Sequence, residues 1–126
     1  MSDTGEVTRR KTPPKHSRKV DGVWHVWHVP RLWELSRHLP VKEVEVASFD
    51  ELDWDCWFGS SRKPTIRTVA RHCQRIMNAD LSYPIILHAD GSLMDGGHRL
   101  AKALMQGLKM INAVQFDVTP PPDEIK

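Results

Sequence analysis

Between residues 83 and 107 the chain carries a strand, a tight turn, a return strand and a helix in immediate succession. Tyr83-Pro84-Ile85-Ile86-Leu87-His88 is a strand-like run with proline among its first positions, where a missing N–H is tolerated. Ala89-Asp90-Gly91-Ser92 holds the Asp-Gly signal of a hairpin turn, and Leu93-Met94 is the short return. Asp95-Gly96-Gly97-His98-Arg99 then opens a helix through Leu100, Ala101, Ala103, Leu104 and Met105, stopped by Gly107. A last strand follows over 109–118, and Pro120-Pro121-Pro122 closes the domain. Short strands alternating with helices in this way predict a single domain of mixed α/β or α+β class.

The remainder fits that class. The run V-W-H-V-W-H-V ending at Pro30 is β-rich, and residues 31–39 suit a short helix with Leu32, Leu35 and Leu39 at helical spacing, closed by Pro40. Trp24, Trp27 and Trp33 are expected to anchor this segment as apolar side chains. Residues 41–49 alternate as a strand, with Val44 and Val46 opposite Glu43 and Glu45. Residues 50–63 lack a period and read as a loop, attached to the core by Trp54, Trp57 and Phe58. Over 66–78, Ile66, Val69, Ala70, Cys73, Ile76 and Met77 follow i, i+3, i+4, i+7, i+10 and i+11, the strongest helix signal in the chain, with Thr65 as its N-cap. Its other face carries Arg67, Arg71 and Arg75 in a row, readable as an exposed helix face or as a surface for phosphate or nucleic acid.

With 126 residues the chain fits one domain, and a chain of that size buries roughly two-thirds of its unfolded surface without metals or disulfides. Hydrophobic residues at 40% and charged ones at 27% exclude wholesale disorder. No apolar run approaches the roughly 18 residues of a membrane span, and no apolar core follows the basic residues at the N-terminus, so a cytoplasmic protein is expected. Cys56 and Cys73 have no metal spacing and are expected as reduced, partly buried thiols. His25 and His28, three apart on a strand, would face opposite ways, so no metal site is expected there. His72 and His88 are expected at the surface or hydrogen-bonded in the core.

The net charge of +2 hides blocks. Arg9, Arg10, Lys11, Lys15, Arg18 and Lys19 make residues 1–20 a basic arm, expected to be disordered and readable as a solvated terminus or as a contact for DNA or an acidic partner. Glu43, Glu45, Asp50, Glu51, Asp53 and Asp55 form an acidic stretch, readable as a solvated loop. The domain proper is expected over 21–118, with a Pro-rich tail over 119–126.

Chemistry is visible at one place, the turn over 95–99. Gly96 and Gly97 let backbone approach a ligand closely, and the unpaired amides of a helix start attract phosphate. His98 and Arg99 in the first turn oppose the helix dipole, by roughly 0.3–1 kcal/mol each, a mismatch that a bound anion relieves. Asp95 reads either as the N-cap or as a carboxylate beside a phosphate, accepting a hydroxyl proton or holding Mg²⁺.

Those residues carry a resemblance. Tyr83 to Leu87, Asp90-Gly91, Met94 to Leu104 and Gly107 resemble the ParB/sulfiredoxin superfamily, and are similar to small bacterial ParB-like proteins with a D-G-x-H-R motif. Val41 to Phe49 followed by Asp50-Glu51-Leu52 resembles the family's opening strand, residues 66–78 resemble its middle helix, and the likeness spans about residues 40–118. It implies a small mixed sheet flanked by helices that binds ATP or another nucleotide, with Mg²⁺, through Gly96, Gly97, His98 and Arg99. Partition ParB proteins use CTP and G-E-R-R, sulfiredoxins use ATP and G-G-C-H-R, and relatives with D-G-H-H-R phosphorylate a small hydroxylated substrate. The sulfiredoxin cysteine falls at Gly97 here, which argues against sulfinic acid reduction, and the partition Glu and Arg fall at Gly97 and His98. No helix-turn-helix domain of the partition type is expected. The kinase-like pattern is nearest. It implies catalytic roles for Asp95, His98 and Glu51, with Asp50 or Asp53 as alternates for Glu51. Three functions follow as expectations: a nucleotide-dependent phosphotransferase or NTPase, a non-catalytic nucleotide-binding module, or a nucleic-acid-associated ParB-like module.

Overall fold

A computed structural model of the chain describes residues 14–59 and 62–126. It is an α+β fold with two sheets. The strands are β1 (Lys15–Val20), β2 (Val23–His28), β3 (Lys42–Glu45), β4 (Ile85–Leu87), β5 (Leu93–Asp95), β6 (Met110–Gln115) and β7 (Glu124–Ile125). The helices are α1 (Val29–Ser36), α2 (Ile66–Asn78) and α3 (Gly97–Met105). The larger sheet has the order β3-β6-β4-β5, with β4 and β6 parallel and the other pairs antiparallel. The smaller has the order β1-β2-β7 and is antiparallel throughout.

Strand alternation in the larger sheet builds a core on each face. Ile85, Leu87, Ile111 and Ala113 point to one side, where Leu100 and Ala103 of α3 cover them together with Val46 and Phe49. Ile86, Val114 and Met94 point to the other, against Trp27 of β2 and Leu32 of α1. The helix α3 ends as expected at Gly107, at φ +71°, with Leu108 N–H bonded to the Ala103 carbonyl and Gly107 N–H to that of Leu104. None of the helices among the described residues is long and apolar enough to cross a membrane.

Several expected boundaries move. Part of the proposed disordered arm is a strand: β1 pairs with β2 from Lys15↔His28 to Val20↔Val23. Asp21 and Gly22, at φ +50° and +80°, form the two-residue turn that matches strand twist. The inward residues of β1 are His16, Arg18 and Val20, so its alternation is not written in apolar side chains. Arg9, Arg10 and Lys11 lie outside the described residues. The Pro-rich tail is also docked. Its β7 adds to β2, Trp27 Nε1 donates to the Pro120 carbonyl at 2.7 Å, and Asp123 binds both His28 N–H and Arg31.

α1 starts two residues earlier than expected, with Pro30 in its first turn, and ends at Ser36. The strand expected over 41–49 is shortened to β3, because Val46 and Phe49 are both buried at a spacing of three, which a 3₁₀ turn provides and a strand does not. A second 3₁₀ turn, Asp50–Asp53, occupies the start of the expected loop. Of the tryptophans expected as anchors, Trp27 is buried, whereas Trp24, Trp33 and Trp54 are exposed. Cys56 and Cys73 are both exposed rather than partly buried.

α2 has the expected bounds, and Thr65 and Thr68 form a reciprocal capping box at its start. Its orientation is not the expected one. Of the apolar stripe only Ile76 is buried, and Ile66, Val69, Ala70, Cys73 and Met77 are exposed. Past the capping box, its less exposed positions are His72, Arg75, Ile76 and Ala79, and His72 and Ile76 meet the body.

Candidate functional site

The D-G-G-H-R turn lies where β5 runs into α3. Gly96 takes the N-cap position at φ +111°, a left-handed conformation that favours glycine. A Cβ there would stand 2.5 Å from Ile85 Cγ2, so the missing side chain is what lets the helix start press against β4. Gly97 serves a different neighbour: a Cβ on it would lie 3.4 Å from Trp57 Nε1, so the indole stands directly over the first turn. Asp95 is not the N-cap. It is the last residue of β5, and the helix has no side-chain cap.

The side chains of the turn part company. His98 Nε2 lies 2.8 Å from His72 Nδ1 on α2. Both imidazoles lie nearly parallel to the Trp57 indole, His98 at 4.8 Å and 3°, His72 at 4.7 Å and 14°, and Phe58 meets His72 edge-on. Asp55 holds the loop that carries Trp57 by accepting from the backbone N–H groups of Trp57, Phe58 and Gly59. The bonds from Phe58 and Gly59 keep its carboxyl below the usual range. His98 is thus built into a ring stack that joins α2, α3 and this loop.

Arg99 belongs to the other side of the turn. Its Nη2 donates to Asp95 Oδ2 at 3.0 Å, and the same oxygen accepts from Trp33 Nε1 at 2.9 Å. Asp95 therefore fixes both an indole and a guanidinium. The Nε of Arg99 is buried and has no hydrogen-bond partner among the described residues. Trp33 and Arg99 form part of the wall of a cavity of about 630 Å³, with Arg37 at the end of α1, Val41, Tyr83 and Pro84. The wall has two cations and no acid, and its aromatic rings are open to solvent, Trp33 at 51% exposure and Tyr83 at 63%.

Glu51 lies elsewhere in the arrangement. Its Oε2 accepts the Leu93 N–H at 2.8 Å, so it ties the second 3₁₀ turn to β5. Asp50 and Asp53 sit in the same turn. The structure therefore joins Asp95 with Arg99. It does not bring His98 and Arg99 onto one ligand position, and it places Trp57 over Gly97. Among the described residues no group of three His, Cys, Asp or Glu side chains is placed to hold a metal.

Sequence reasoning missed Trp33, Arg37 and Tyr83 as site residues, and Trp57 with His72 as the partners of His98. Trp33 reads as core by composition alone, and only the fold shows its indole at the rim of a cavity. Comparison of the chain with family models, curated proteins and solved structures finds no match in any of the three.

Proposed function

We propose that the protein is a nucleotide-binding module whose ligand, a planar ring bearing phosphate, occupies the cavity on the Arg99 side of the D-G-G-H-R turn. One observation carries the reading: a cavity lined by Arg37, by Arg99 with Asp95 paired behind it, and by the exposed rings of Trp33 and Tyr83 adjoins the turn that resembles the ParB/sulfiredoxin phosphate motif. Arg99 and Arg37 supply charge-assisted hydrogen bonds to phosphate oxygens, and Trp33 and Tyr83 offer faces for a base. Asp95 acts as a positioning residue, since it holds the guanidinium of Arg99 and the indole of Trp33.

The same geometry favours binding over phosphoryl transfer. Transfer needs a carboxylate on Mg²⁺ or on the acceptor hydroxyl. Asp95 holds Trp33 and Arg99 through Oδ2 and Glu51 holds the Leu93 N–H through Oε2, so each has a positioning task in the fold, and His98 is engaged with His72.

Thermal-shift titration with ATP, CTP, ADP and pyrophosphate, each with and without Mg²⁺, tests the proposal. A nucleotide raises Tm in proportion to the logarithm of its concentration above Kd. Arg99→Ala weakens binding roughly ten- to hundredfold, the value of one charge-assisted hydrogen bond at ~1.5–3 kcal/mol. A Tm indifferent to every nucleotide at millimolar concentration overturns the reading.

A further inference from the structure

The unburied stripe of α2 has no role in the cavity. Ile66, Val69, Ala70, Cys73 and Met77 recur at i, i+3, i+4, i+7 and i+11, the spacing by which a helix normally meets a core. All are exposed, Ile66 at 91% and Met77 at 70%. The helix is already seated on the body by a different stripe, with Ile76 buried and His72 against Trp57 and His98. Contiguous apolar surface of this kind, on a helix already seated, marks an interaction face.

Charge decides what covers it. Between Asp55 and Asp80 the chain has no acid, while Arg62, Lys63, Arg67, Arg71 and Arg75 lie within that span. Exposed Arg67 and Arg71 flank the stripe and, with Ile66, Ala70 and Gln74, line a shallow groove of about 460 Å³. A second α2 laid on the first would set two arginine rows side by side with no acid between them. The acidic stretch of a second copy, residues 43–55, brings charge and the single exposed Trp54 but no apolar stripe, since its Val46 and Phe49 are buried in its own core. Residues 1–13 offer only Met1 and Val7 as large apolar side chains, six apart rather than at helical spacing, and their Asp3 and Glu6 are outnumbered by Arg9, Arg10 and Lys11. A nucleic acid would set phosphates against Ile66 and Val69, which give them no donor.

We infer that the exposed face of α2 is a docking surface for an acidic amphipathic helix of another protein, whose apolar residues pack on Ile66, Val69, Ala70, Cys73 and Met77 while its carboxylates pair with Arg67 and Arg71. Apolar anchors with arginine at the edge match the composition of helix-in-groove interfaces. The inference stands apart from the nucleotide reading, because no residue of this face lines the cavity beside Arg99.

Cys73 lies within the stripe and is exposed, so it reports occupancy. In full-length protein carrying Cys56→Ser, the rate of Cys73 alkylation is followed against two synthetic peptides of roughly four helical turns. Both have Leu at i, i+3, i+4 and i+7, one with Glu flanks and one with Lys flanks. The Glu peptide is expected to protect Cys73 saturably, and the Lys peptide is not. Val69→Asp and, separately, Ile66→Asp abolish protection. The pair Arg67→Glu with Arg71→Glu weakens the Glu peptide at least roughly tenfold and transfers preference to the Lys peptide. Sedimentation of the protein alone is expected to give a monomer. Equal protection by both peptides, protection by neither, or a concentration-dependent dimer that Val69→Asp dissolves overturns the inference. Protection of Cys73 by duplex DNA in place of the Glu peptide overturns it as well.

Discussion

Gly96 and Gly97 are adjacent glycines with unequal tasks. Gly96 combines a left-handed φ of +111° with Ile85 atoms inside 3 Å of where a Cβ would sit, so any side chain there is doubly penalised. Gly97 is helical and its Cβ would meet Trp57 at ordinary contact distance. Gly96→Ala is therefore expected to lower stability by at least ~2 kcal/mol in urea denaturation, whereas Gly97→Ala changes it by less than about half that. Equal effects would show that the Ile85 contact is not what requires glycine. The pair of glycines was visible in the sequence, but which of them serves packing depends on Ile85, eleven residues back across a strand pair. Asp95 shows the same gap. Its proximity to Arg99 follows from i, i+4 spacing on the chain, while its bond to Trp33 bridges residues 62 apart and has no sequence signature.

Among the elements, β1 shows what a periodic reading loses when the inward positions are polar. His16 Nε2 lies 2.9 Å from His88 Nε2, and both rings pack against Trp27. Burial, reinforced by the Arg18 guanidinium, lowers His16 from 6.5 to about 4. Burial, then His16 and Arg18, lowers His88 to about 4. Unfolded, each imidazole takes a proton near pH 6.5. Between 6.5 and 4 the unfolded chain therefore binds protons that the folded chain refuses, and stability falls as pH is lowered through that window. Tm measured at steps from pH 7.5 to 4.5 is expected to drop below 6.5, with a shallower fall in His16→Gln. A flat profile would mean that the hairpin does not hold these rings neutral. α2 offers the converse lesson. Its period and capping residues gave its ends, yet amphipathicity pointed to the wrong stripe, because His72 finds its partners in His98 and Trp57, residues remote in the chain.

For the molecule as a whole, the α+β class and the order of elements between Ile66 and Gln115 were legible, because there each apolar run has the period of the structure it adopts. The docked C-terminal segment was not, since Asp123 and Glu124 are polar and act through hydrogen bonds to β1, β2 and α1. The cavity beside Arg99 likewise exists only once α1, Tyr83 and α3 are brought together by the sheet. Its occupancy can be read at two indoles that sit on opposite sides of the same turn, Trp33 at the cavity and Trp57 over Gly97. The indole N–H resonances in a ¹H–¹⁵N spectrum, assigned by Trp→Phe substitution and followed through a titration with ATP, report them separately. The Trp33 resonance is expected to move saturably while those of the exposed Trp24 and Trp54 stay still. A titration that moves Trp57 and leaves Trp33 in place would put the phosphate on the helix start instead, and one that moves neither would leave the protein without the ligand claimed for it.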